Sequence, residues 1–181
     1  VLSTFPHDDA ERFRSNSDVE VCDLRPIRLA AVEMPLAVAV YLARRCRLPV
    51  GWLPHTKVRR ALTEADLVVD LAGISFSDGR GFPILVYNVL MTGLGPVYGR
   101  PTMKAAQALG PFDRRSTRTA ARLVLSRLRW IGARGAATRS NLAHLELGNV
   151  SEVADLAFSL PESATLPTLV EASLPSERGF C

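Results

Sequence analysis

Short apolar runs bounded by turn residues, each followed by a stretch of helix length, constrain this chain more than any other feature. Leu67–Leu71 lies between Asp66 and Gly73 and suits a strand buried on both faces. Thr102–Leu109 follows Arg100-Pro101, and Trp130–Ala133 and Val150–Val153 are further strand-like runs. Val19–Leu24 alternates apolar and polar residues with the period of a strand. Val1–Thr4 reads as a strand end, and Asp8 and Asp9 start a short helix over Ala10–Ser15. A long helix is predicted over Ala30–Cys46, kinked at Pro35, and another over Thr56–Ala65, capped by Thr56. A helix with Pro83 in its first turn runs to Met91 and is broken by Gly93, Gly95 and Gly99. An arginine-rich helix follows Phe112, and a last one ends at Leu147-Gly148. Strands and helices in alternation predict an α/β fold, a Rossmann-like parallel sheet with helices on both faces. Ligands of such sheets bind outside the carboxyl ends of the strands. Residues 1–160 are read as that domain, and 161–181, with three prolines and little periodicity, as a linker or tail.

Composition narrows the class. With 181 residues, 48% apolar and 22% charged, the chain is globular rather than disordered. Its net charge of +4 comes almost entirely from arginine, which fits a weak preference for anionic partners. Three cysteines without a C-x-x-C pair read as free thiols in a reducing compartment. His7, His55 and His144 are far apart and lack neighbours at ligand spacing, so no metal site is expected. Arg115, Arg118, Arg122 and Arg129 share a side of the arginine-rich helix, but no aromatic platform accompanies them. A solvated face is therefore expected, not a nucleic-acid surface. The apolar run Leu29–Ala43 contains Glu33 and Pro35 and is too short to span a bilayer. The arginines that follow it, Arg44, Arg45 and Arg47, leave room for a peripheral membrane contact. No signal-peptide pattern is present, so a cytoplasmic protein is expected, at the inner face of the membrane if that contact is made.

Two tempting motifs fail on context. Gly73-Ile74-Ser75-Phe76 begins like a nucleophile elbow, but Ser77 stands at the last glycine position and no acid-then-histidine pair follows convincingly. Gly93-Leu94-Gly95-Pro96 follows a helix and precedes a strand, the wrong order for a pyrophosphate loop.

The ordered set from Thr102 to Leu160 is more specific. A strand ends in Gly110-Pro111-Phe112, a second delivers Arg134, a Ser140–His144 helix ends at Leu147-Gly148, and Asp155 to Leu160 follows. This order resembles the polysaccharide pyruvyl transferase family. The resemblance implies a two-domain, GT-B-like enzyme of which this chain matches the first domain. That domain's opening strand and glycine-rich turn, and the second domain with its donor-binding residues, are expected to lie outside the sequence. It further implies transfer of the enolpyruvyl unit of phosphoenolpyruvate to a sugar of a cell-surface polysaccharide or glycolipid, forming a pyruvate ketal without metal or organic cofactor. The acceptor would be a sugar or lipid-linked saccharide, and the chain alone is expected to bind at most. A nucleotide-sugar glycosyltransferase of the same shape, or a non-catalytic sugar-binding domain, is the alternative.

The same resemblance points to residues. The family has a glycine pair after the strand that corresponds to Leu67–Leu71 and an Asp five residues on; here Ala72 replaces the first glycine, while Gly73 and Asp78 fit. Asp78 is a candidate catalytic base for an acceptor hydroxyl, or else a carboxylate that caps backbone. Arg134 is a candidate catalytic residue for an anionic substrate, or else the partner of Asp155. Gly73, Ser75, Gln107 and Gly110 are candidate substrate-binding positions: the glycines for close backbone approach or a tight turn, Gln107 for a sugar hydroxyl.

Overall fold

The computed structural model describes residues 1–159; the predicted tail over 161–181 lies outside the described residues. Strands β1 (Leu2–Ser3) and β2 (Cys22–Asp23) form a two-stranded parallel sheet. Strands β3 (Val68–Asp70), β4 (Ile74–Ser75), β5 (Thr102–Leu109), β6 (Trp130–Arg134) and β7 (Val150–Val153) form the main sheet. Its order is β3-β5-β6-β7, and β4 rejoins the β3 side of β5 after the loop at 71–73. Every pairing is parallel, so all carboxyl ends lie along one rim. Ile131, Gly132 and Ala133 are all buried, which means both faces of β6 are covered. This is the parallel, helix-covered sheet of a Rossmann-like fold.

One strand expectation is corrected. The Val19–Leu24 run contributes only Cys22–Asp23, and it pairs with β1 rather than joining the main sheet. A cleft of about 640 Å³, lined by Val1–Thr4 on one side and Leu67–Ala72 on the other, keeps the two sheets apart. Leu24 still enters the core, with Leu29, Val40, Val58, Leu62 and Leu94. A second cluster of Phe76, Leu109, Leu125, Ile131 and Leu142 lies around the carboxyl half of β5.

Helices also depart from expectation: the short one spans Pro6–Arg12 rather than Ala10–Ser15, and two longer ones differ as well. The first begins at Pro26, not Ala30, and runs to Arg45. Pro35 lacks an N–H, and its ring crowds the carbonyl of the preceding turn. The chain answers with a wider π turn over Leu29–Glu33 before the α-helix resumes at Met34. The second helix, Phe82–Val97, runs through Gly93 and Gly95 instead of breaking there. Gly95 is a packing residue. A Cβ built on it would come 2.3 Å from the Thr102 Oγ1 and 3.4 Å from Val68, so only glycine lets the helix lie this close to β3 and β5. Gly99, at φ +74°, ends it.

Gly95→Ala is accordingly expected to lower Tm, although alanine is the better helix former by about 1 kcal/mol. Overpacking costs about 1–3 kcal/mol and should win. A thermal melt of the variant at or above wild type would show that the helix has room to retreat.

Candidate functional site

Strand β5 carries the residues that organise the rim. In a regular strand residues three apart point to opposite faces. Here the register against β6 advances from Lys104–Ile131 to Gln107–Ala133, three residues against two, and Ala106 takes φ +48°. This bulge resets the alternation and brings Lys104 and Gln107 to the same side. Gly132 makes room for it: a Cβ there would stand 3.0 Å from the Ala106 backbone nitrogen and 2.8 Å from the Trp130 ring.

The consequence is a buried polar network. Lys104, 1% exposed, donates from Nζ to Asp70 Oδ2 at 2.5 Å and to Gln107 Oε1 at 3.0 Å. Gln107, fully buried, donates from Nε2 to the Asp70 carbonyl and to Asp70 Oδ1, both at 2.8 Å. The Ser75 hydroxyl donates to Gln107 Oε1 at 2.8 Å. Lys104 also lies 5.5 Å from the centroid of the Phe76 ring. Burial pulls the Lys104 amine below its ordinary value, with Asp70 opposing. Burial is the largest influence on Asp70 and pushes its carboxyl up, but the Lys104 charge and hydrogen bond, the Ala72 N–H and the Gln107 amide together prevail and hold it below its usual range. Asp70 Oδ1 in turn accepts the Ala72 N–H at 3.0 Å, which fixes where the loop leaves β3.

Asp70 and Lys104 were not among the sequence candidates. The available signal was a lysine in the middle of a strand that reads as buried, which requires an anion nearby. Ser75 and Gln107, expected at the substrate, lie beneath the rim, and both polar atoms of the Gln107 amide are engaged internally. Gly110, at φ +90°, packs on Asn141, whose Cβ would be 2.9 Å from an added methyl. Its conformation and its contact both require glycine. Gly73 differs: it is exposed, and nothing lies within 4 Å of where its Cβ would be. It leaves open space at the rim.

Asp78 Oδ2 accepts the N–H groups of Asp113 at 2.5 Å and Arg114 at 3.0 Å. These precede the helix Arg115–Leu125, whose own N-cap residue, Arg114, offers no side-chain cap. Asp78 thus caps a helix from another loop. Burial raises its carboxyl, but the Thr117 hydroxyl and the Arg114 and Asp113 N–H groups prevail and hold it below the usual range. Arg80 is exposed nearby in the turn Asp78–Arg80.

Arg134 ends β6, and its Nη1 donates to Asp155 Oδ2 at 2.8 Å, with both side chains about one-third exposed. The Ala157 N–H, then the Arg134 charge, hold the Asp155 carboxyl low against burial. Ile74 pairs with Ala108, and Gln107 with Ala133. Two strand spacings therefore separate β4 from β6, roughly 10 Å between backbones. Gly73, Asp78 and Arg134 share one rim, with the Lys104 network below it.

The open loop, the carboxylate and the arginine thus lie at the carboxyl ends of parallel strands, the edge at which sheets of this kind bind their ligands. The chain belongs to the polysaccharide pyruvyl transferase family, whose model matches residues 2–173, and the family is one of transferases. No match was found among curated proteins or solved structures.

Two expectations follow. Lys104→Met leaves the Asp70 charge uncompensated and should cost about 3–5 kcal/mol, while Lys104→Met with Asp70→Asn should recover part of it. Because the Asp70 carboxyl is depressed, its contribution is present above about pH 4 and is lost as pH falls through its folded value. Acid titration of wild type against the double variant reads this directly; superimposable curves would discount the pair.

Asp78→Ala should destabilise by about 0.5–2 kcal/mol through the lost cap, whereas Asp78→Asn keeps an acceptor and should melt near wild type. Asn cannot act as a base. Activity retained in Asp78→Asn would reduce Asp78 to a cap.

Proposed function

We propose that this chain is the first-domain part of an enzyme that transfers the enolpyruvyl unit of phosphoenolpyruvate to a sugar of a cell-surface polysaccharide or glycolipid, forming a cyclic pyruvate ketal. The observation that carries the reading is the rim itself within a chain of this family: open backbone at Gly73 on the same rim as Asp78 and Arg134.

In this reading C3 of the donor takes a proton, and two sugar oxygens form bonds to C2 in turn. The bond from C2 to the phosphate oxygen breaks, and phosphate leaves. One hydroxyl proton balances the proton taken at C3 and the other leaves with phosphate. Charge must be neutralised on the donor, and Arg134 is suited to it. Asp155 takes one of its N–H donors and steadies the planar fork, and the other donors have no partner among the described residues. In this reading Asp78, held ionised, accepts a proton from a sugar hydroxyl. Gly73 lets a ligand approach the backbone. Ser75 and Gln107 hold that loop from below, and Gly110 shapes the adjoining turn. Catalysis uses no metal or organic cofactor in this scheme.

Titration calorimetry with phosphoenolpyruvate and with a nucleotide sugar tests it. Phosphoenolpyruvate should bind, and Arg134→Lys should weaken it, because a charge-assisted contact is worth about 1.5–3 kcal/mol, roughly ten- to more than a hundredfold. Binding of the nucleotide sugar alone would favour a glycosyltransferase. Unchanged affinity in Arg134→Lys, with a lower Tm in Arg134→Ala, would leave Arg134 a purely structural partner of Asp155.

A further inference from the structure

The helix Pro26–Arg45 is apolar on two sides. Its inner side supplies Leu29, Leu36, Ala37 and Val40 to the core, with Val58, Leu62 and Leu94. Its outer side should be polar if water were its neighbour. Instead Val38, Tyr41 and Leu42 are 41%, 51% and 53% exposed, and Ile27 is 83% exposed. At 100° per residue Val38, Tyr41, Leu42 and Arg45 fall within an arc of about 100° opposite the core residues. Beyond the helix the same apolar character continues in Leu48 and Trp52, 56% and 71% exposed.

The charges around this face are of one sign. The only acid in the helix, Glu33, is fully buried, accepting from Arg28 at 3.2 Å and from the Thr56 hydroxyl at 2.8 Å. Arg45 and Arg47 are exposed at the end of the helix, and no carboxylate pairs with either among the described residues. Aliphatic residues, a tyrosine and a tryptophan beside unpaired arginines are the components of a helix that lies in a membrane interface.

We propose that the outer face of helix Pro26–Arg45, with Arg45, Arg47, Leu48 and Trp52, docks on the surface of a bilayer containing anionic phospholipid. The helix lies on the bilayer and does not cross it, because its other face is part of the protein core. Lipid headgroups supply the anions that the unpaired arginines lack. A second copy docked on this face would bring the same arginines and no exposed helix carboxylate to meet them. The inference stands on this face alone and does not require phosphoenolpyruvate as donor.

Cosedimentation of the 181-residue chain with vesicles tests it. Phosphatidylglycerol-containing vesicles should retain the protein, pure phosphatidylcholine vesicles should not, and added salt should release it. Arg45→Gln with Arg47→Gln should weaken binding roughly thirtyfold, from about fivefold per arginine. Val38→Ser with Leu42→Ser should weaken it at least tenfold. Neither pair should shift Tm by more than a degree or two, since all four side chains are exposed, and circular dichroism melts check this. Failure to bind anionic vesicles, or binding unchanged in the Val38/Leu42 variant, overturns the proposal. So does a wild-type dimer in sedimentation velocity that the Val38/Leu42 variant dissolves, which would give the face to a second copy.

Discussion

The ion pair between Lys104 and Asp70 is the constraint on which the rest of the rim depends. A lysine this deep in a sheet is tolerable only with an anion in direct contact and its other donors satisfied. Asp70 supplies the anion, and Gln107 and Ser75 supply oxygens. Because these four come from β3, β4 and β5, satisfying the lysine also fixes the order in which the strands end. The loop between β3 and β4 is then tied at both sides, through Ala72 at one and Ser75 at the other.

The bulge is what makes the pair feasible. With regular alternation Gln107 would face away from Lys104, and the ammonium would lose an acceptor. Ala106 bears an unfavourable backbone conformation so that two polar side chains can meet. Gly132 on the neighbouring strand accepts the displaced backbone. Polar satisfaction here outranks backbone comfort, the usual outcome where a buried charge is involved.

This also explains what the sequence revealed and what it concealed. The strands Leu67–Leu71, Thr102–Leu109 and Trp130–Ala133 were legible because apolar runs bounded by turn residues have few other solutions, and the observed elements match them closely. The short β2 and the uninterrupted helix at Phe82–Val97 were not. Glycine reads locally as a helix breaker, while its role at position 95 is set by Thr102 and Val68, distant in sequence. The Asp70–Lys104 pair was hidden for a related reason. No glycine or proline marks the bulge at Ala106, so spacing alone puts Lys104 and Gln107 on opposite faces. Leu67–Leu71, expected to be buried on both faces, is instead an edge strand with Leu67, Val69 and Leu71 exposed. Asp78 and Arg134 were visible as charged residues after strand-like runs, but their partners in the turn at 113–114 and at Asp155 are tertiary facts.

The carboxylate of Asp78 has a thermodynamic meaning beyond its place on the rim. The turn that carries it is fastened to the start of the helix Arg115–Leu125. That turn cannot lift away from the sheet without uncapping the helix. A cap is worth about 1 kcal/mol, so the fastening favours the seated turn by roughly five to one. The same carboxylate therefore couples the resting shape of the rim to the integrity of a helix on the face of the sheet.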